Sequence, residues 1–158
     1  MTGTYSATFD NADAAAAEGA LTTAYNTAAG LLLPAVLPGD MSGLTFSPGL
    51  YKTSSAVTLN SGNVTLDAQG DPNAVFVFQI GSTLVAAAGT QVNLINGAQS
   101  ANVFWQVGSS ATLNSSVAFV GNIIAYTTVT LGTDATLHGR AMASNGAVTL
   151  LSNKITIP

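Results

Sequence analysis

From Gly43 onward the chain is written in short segments in which apolar and polar residues alternate, cut by Gly, Asn, Ser and Asp. Such alternation is the mark of half-buried β-strands. Three kinds of segment recur. AVTL (56 to 59), ATL (111 to 113), VTL (129 to 131) and AVTL (147 to 150) set Val, Ala and Leu inward and Thr outward. VFVFQI, VFWQV, NIIAY and GRAMA are apolar on both alternations, so both of their sides must be covered. NVTLD, QVNLI, VAFVG, ATLHG and KITI alternate with more varied outward residues: Thr65, Asn93, Val120, His138 and Thr156.

The segments also repeat. A Thr-Leu pair recurs at Thr58, Thr83, Thr112, Thr130 and Thr149, with last steps of 18 and 19 residues. The first two steps are 25 and 29 residues, and their excess lies in the turn-like inserts DAQGDPNA and NGAQSAN. Three short strands and three corners fill one such step, which predicts the coil of a triangular β-solenoid.

The first part of the chain reads differently. Residues 10 to 30, DNADAAAAEGALTTAYNTAAG, predict one long helix, with Asp10 or Asn11 as N-cap, Asp13 and Glu18 at its positive end and Gly30 closing it. Ala17, Leu21, Ala24, Tyr25 and Ala28 form an apolar stripe of mostly small side chains, suited to lying close against a flat surface. GLLLPAVLPGD follows as an apolar connector that its two prolines keep out of the helix. A helix of about 18 residues measures roughly 27 Å, and five coils stack to about 20 to 24 Å. The expected fold is therefore mainly β: one domain over 1 to 158, with solenoid coils over 43 to 158 and a helix packed along one face.

In-register stacking would line up Thr58, Thr83, Thr112, Thr130 and Thr149 about 4.8 Å apart, with Ser110, Thr128 and Ala147 about 6.6 Å along their strands. Restricted threonine rotamers keep such an array stiff. Its methyls would bound ordered water while its hydroxyls anchor it. Threonine is also a strong β-former, so propensity alone would place it outward.

Charge argues for more than propensity. Ten of 158 residues are Asp, Glu, Lys or Arg, and Pro72 to Thr133 holds none, against about a quarter in ordinary domains. Lys52, Arg140 and Lys154 are scattered and the net charge is -4, which speaks against nucleic-acid and membrane partners. Apolar runs are far shorter than the roughly 20 residues of a bilayer span. The start, MTGTYS, has no signal-peptide character, and the absence of cysteine excludes disulfides and thiolate chemistry.

Candidate chemistry is sparse. His138 is the only histidine and reads as a surface group, with no metal-ligand cluster around it. Asp67 and Asp71 suggest paired carboxylates or a Ca²⁺ site, but Asp71-Pro72-Asn73 reads better as a turn. Arg140 reads as a tether near the doubly covered face, and Trp105, a candidate sugar platform, reads as core because VFWQV is covered on both sides. Nucleophile-elbow, phosphate-loop and zinc-protease motifs are absent. No enzyme, cofactor or metal is expected.

GDMSGLTFSPGLYK (39 to 52), LDAQGDPNAVFVFQIGSTL (66 to 84), LINGAQSANVFWQVGSSATL (94 to 113) and GNIIAYTTVTLGTDATLHGRAMASNGAVTL (121 to 150) resemble the type-1 ice-binding protein family. The resemblance implies a right-handed solenoid of three faces with a helix alongside, secreted, acting as a monomer and binding ice through a flat exposed face. Family members usually carry a further N-terminal segment; this chain begins just before the expected helix. Strongly active members carry a Thr-Ala/Gly-X-Thr/Asn corner, and only Thr133-Asp134-Ala135-Thr136 approaches it here, so moderate activity is expected. The ice-binding set is then Thr58, Thr83, Ser110, Thr112, Thr128, Thr130 and Thr149, with Thr133 and Thr136. A structural or adhesive solenoid module is the rival, and a carbohydrate-active enzyme would need clustered carboxylates that seven scattered acids do not supply.

Overall fold

The computed structural model describes Gly19, Thr23 and residues 34 to 158. Its strands stack in parallel around one core and form three faces. Face A is the largest. It runs β1 (Ala35–Val36), β3 (Gly49–Thr53), β6 (Phe76–Ile80), β9 (Val103–Val107), β11 (Ala118–Ala125), β13 (Thr136–Ala143) and β15 (Lys154–Thr156). Face B orders β4 (Val57–Leu59), β7 (Leu84–Ala86), β10 (Ala111–Leu113), β12 (Val129–Leu131) and β14 (Val148–Leu150). Face C begins with β2 (Thr45–Phe46), β5 (Val64–Asp67) and β8 (Val92–Ile95). A bridge between Gln91 and Ala118 carries it on to the first residues of β11, β13 and β15.

The long strands β11 and β13 cross a corner without breaking, and glycine permits it. Gly121, at φ +111°, lets the backbone turn where an added Cβ would meet the Trp105 Nε1 and Val103 Cγ1, both at 2.8 Å. Trp105 fills that corner from inside. It is fully buried, stacks on Phe78 at 4.2 Å, lies 4.9 Å from Phe119, and its Nε1 donates to the Val120 carbonyl at 2.9 Å. Tyr51 continues the stack on Phe78 at 5.4 Å. Aromatic rungs fall over one another because Tyr51, Phe78 and Trp105 are register partners.

Coil-forming strands begin earlier than expected. Ala35–Val36, within the expected connector, pairs with Tyr51 and Lys52, and Leu37 and Met41 are buried. Pro34 and Pro38 flank this strand, which is tolerated because it lies at the sheet edge.

The expected long α-helix along one face is corrected. Among the described residues the elements are strands and one short 3-10 turn (Ser100–Asn102), with no α-helix element. Residues 10 to 30 lie outside the described residues except Gly19 and Thr23, which have helical backbone and are exposed. Nine of those 21 residues are Ala. A helical stripe of Ala arises there from composition alone and specifies little packing. What the described residues do have is a second apolar cluster, Leu50, Val77 and Phe104, separate from the main core. These three are register partners on the outward side of face A.

Candidate functional site

Face B is built by an inside-outside rule. Val57, Leu59, Leu84, Ala86, Ala111, Leu113, Val129 and Leu131 are all 0% exposed. Because a strand alternates sides, the residue between each pair must point out. The register then stacks Thr58, Val85, Thr112, Thr130 and Thr149 in one column. Two residues earlier the same register levels Ala56, Thr83, Ser110, Thr128 and Ala147 in a second column. None of these ten positions carries a charge, and six of them are Thr and one is Ser.

Most of these side chains are half-buried, held low between their neighbours. The Thr128 hydroxyl donates to the Ser110 hydroxyl at 2.9 Å, and Thr58 Oγ1 donates to the Gly39 carbonyl at 3.1 Å. These bonds run along the stack and fix rotamers that already have few choices. A third column, Asn60, Ala87, Asn114 and Gly132, borders the face; Asn114 Nδ2 reaches the Ala86 carbonyl one coil away at 2.9 Å.

Thr83 sits one column over from its expected place. Leu84 pairs with Val57 and Ala111, so Val85 takes the rung between Thr58 and Thr112, while Thr83 levels with Ser110. Ser110, Thr112, Thr128, Thr130 and Thr149 share face B with Thr58. Thr133 is exposed at the corner leaving face B, and Thr136 is exposed at the start of β13 on face C, paired with Ala118 and Lys154. The corner is itself regular: Gly62, Gly89, Ser116, Asp134 and Ser152 all have left-handed backbone. Successive corners are joined by Gly89 N to Ser115 O, Ser116 N to Thr133 O and Asp134 N to Ser152 O.

Face C is less uniform. Its outward residues include Thr65, Asn93, Val120, His138 and Thr156, with Lys154 at its far end. His138 is exposed and its Nδ1 lies 2.9 Å from Thr156 Oγ1. The carboxylates serve turns. Asp67 accepts from Asn96 Nδ2 and from the Gln69 amide, both at 2.8 Å, and those bonds hold its pKa below the ordinary value. Asp71 accepts from the Asn73 amide at 2.8 Å, as an Asp-Pro-Asn turn requires. Asp40 is pulled down to about 2, first by the Ser42 hydroxyl, then by the Ser42 amide and by Asn60. Arg140 Nη1 donates to Asn122 Oδ1 at 3.2 Å on the outward side of face A. Among the described residues no three His, Cys, Asp or Glu are grouped so as to hold a metal ion, and no helix is long and apolar enough to cross a membrane.

Stacked parallel strands with one hydroxyl-bearing face, uncharged across its ten outward positions and ending beside Asp40, which bridges to Thr58, define a β-solenoid-like fold. The chain belongs to the family described as Ice-binding-like, which matches residues 1 to 156. It is 51% identical over 136 residues to an ice-binding protein of Nostoc sp., covering 85% of this chain and 50% of that protein. It is 38% identical to an ice-binding protein of Flavobacterium frigoris, covering 90% and 51%. The chain thus spans about half the length of these curated relatives. Among solved structures, an ice-binding protein from an Antarctic biological consortium superposes with TM-score 0.82 at 46% identity, covering 94% of this chain and 68% of that one. One from the ascomycete Antarctomyces psychrotrophicus gives 0.80 at 39%, covering 94% and 73%.

Proposed function

We propose that this chain binds ice, as a type-1 member of its family, by adsorbing through face B. The observation that carries the reading is the pair of register-locked columns, ten outward positions without a charge, whose inward neighbours on β4, β7, β10 and β12 are fully buried. Strands about 4.8 Å apart and alternate residues about 6.6 Å apart give a two-dimensional grid. Hydroxyls on that grid can anchor waters while methyls shape the cages between them. Charged side chains would orient water radially instead. An adsorbed protein pins the ice front, which then grows as curved surface between pinned points, and growth and recrystallisation slow.

Face C fits this task less well, because Asp67 and Lys154 place charges on it. The corner residues Thr133 and Thr136 extend the surface at its margin. The reading is of adsorption, with ice as partner and no catalytic step. We place the protein outside the cell, where ice forms, and as a monomer. Fluorescently labelled protein applied to a single-crystal ice hemisphere tests the reading. Bright, bounded patches on particular planes are expected; a uniformly dark hemisphere overturns it. Thermal hysteresis separates it from the adhesive alternative, since a module without ice affinity produces none.

A further inference from the structure

The outward side of face A carries a groove that the ice-binding reading leaves unused. It is an open, shallow groove of about 350 Å³, a size at the lower end of small-molecule sites. Part of its floor is bare backbone, and Ile124 lies beside Gln106 in its lining. Gly81 and Gly108 are stacked so closely that a Cβ on Gly108 would lie 2.5 Å from the Gly81 oxygen, and one on Gly81 would lie 2.6 Å from the Ser54 oxygen. No side chain can fill that shelf without moving the coils apart. Tyr126 stands at its end, 62% exposed, its amide bonded to the Val107 carbonyl at 2.9 Å so that it follows directly on the glycine pair. Along the other margin Lys52, Gln79 and Gln106 are register partners on successive coils. Gln79 Nε2 donates to Gln106 Oε1 at 2.8 Å, which leaves the Gln79 carbonyl oxygen and the Gln106 amide hydrogens at the two ends of the pair.

This is a set of complementary parts. An amide pair with both a free acceptor and a free donor matches vicinal hydroxyls, each of which donates and accepts. An exposed aromatic ring gives a face for the C–H side of a sugar ring. One lysine and no acid line the groove, so it is not organised for phosphate or for a cationic ligand. We infer that it binds a neutral oligosaccharide, stacked on Tyr126 and hydrogen-bonded to Gln79 and Gln106. The site lies on face A and does not depend on what face B does.

The test is run above freezing, without ice. Protein labelled with ¹⁵N is titrated with maltohexaose and, separately, with cellohexaose to about 20 mM, a range that saturates a groove of millimolar affinity. Side-chain amides of Gln79 and Gln106 and backbone amides of Gly81, Gly108 and Tyr126 are expected to shift and saturate with at least one of them. Tyr126→Ala should weaken binding about tenfold through loss of the ring face, and Gln106→Ala should weaken it as well. Thr130→Tyr on face B should leave it unchanged. The inference is overturned if neither sugar moves these resonances, if shifts map elsewhere, or if Tyr126→Ala and Gln106→Ala both bind as the parent does. Ice adsorption that survives Tyr126→Ala keeps the two readings separate.

Discussion

Replacing Thr130 by Tyr should cut thermal hysteresis severalfold while leaving the fold intact. Thr130 occupies the column between Thr112 and Thr149, on a strand with a neighbour on each side. Its nearest column partners are about 4.8 Å away and Thr128 is about 6.6 Å along the strand. Even a phenol ring lying flat holds an approaching surface off by about 3.5 Å, the contact distance of carbon on carbon. Hydrogen-bonded waters on the neighbouring hydroxyls need roughly 2.7 to 3.2 Å, so Thr112, Thr149 and Thr128 are lifted out of reach along with position 130. Four of the ten outward positions then fail together. Because adsorption needs simultaneous anchoring, the loss should exceed the fraction of sites removed.

The fold should not notice. The inward neighbours Val129 and Leu131 are fully buried and do not depend on the outward side chain at 130, and surface substitutions of this sort stay within about 0.5 kcal/mol. For a chain this long that is a melting shift of about 1 to 2 °C. The assay is thermal hysteresis at matched concentration beside a circular-dichroism melt. Full activity in Thr130→Tyr, with loss on Thr136→Tyr instead, would refute the assignment to face B and move it to face C.

Three further outcomes follow from packing and charge. Trp105→Ala should cost about 3 to 5 kcal/mol in urea unfolding, since the ring is fully buried, stacked on Phe78 and bonded to Val120; a loss below 1 kcal/mol would contradict the stack's role. Gly121→Ala should destabilise by about 2 to 5 kcal/mol, from left-handed backbone strain and from overpacking against Trp105 and Val103; thermal melts of the variant check it. Asp40 should titrate near 2 rather than 3.8. Its folded pKa is depressed, so its stabilising contribution is complete above 3.8 and is lost as pH falls through about 2. Carboxyl NMR titration reads this directly; an ordinary midpoint would contradict the depression, and a low one unchanged in Ser42→Ala would remove the Ser42 hydroxyl as its leading cause.

The repeat was legible because burial on a solenoid is strictly alternating. Wherever an inward residue is Val or Leu, its neighbour must face out, and four of the five Thr-Leu threonines share one column by that rule. The doubly apolar segments were legible for the same reason: Phe76, Phe78 and Ile80 join the main core while Val77 joins the outward cluster. The 10 to 30 stretch was not legible as packed structure, because a run dominated by Ala satisfies a helical period whether or not anything covers it. Strand β1 was hidden by its two prolines, which signal a break unless the strand is known to lie at an edge.

The misplacement of Thr83 shows where the pattern gives out. The Thr-Leu dipeptide marks the coils only in part, because the coil is set by which residue points inward. In β4, β12 and β14 the order is Val, Thr, Leu, with Thr in the middle; in β7 it is Leu84, Val85, Ala86. Leu84 therefore answers to Val57 and Ala111, and the residue before it cannot share a column with Thr58. The signal that resolves this lies one corner upstream. Three steps lead from Ile80 to Thr83, from Val107 to Ser110 and from Ala125 to Thr128, and those starting residues are register partners. Counting from the previous strand puts Thr83 beside Ser110, and puts a valine, nearly the shape of threonine but without its hydroxyl, in the first column. The grid keeps its flatness there and loses one anchor, a local departure that the dipeptide count could not register and the inward alternation requires.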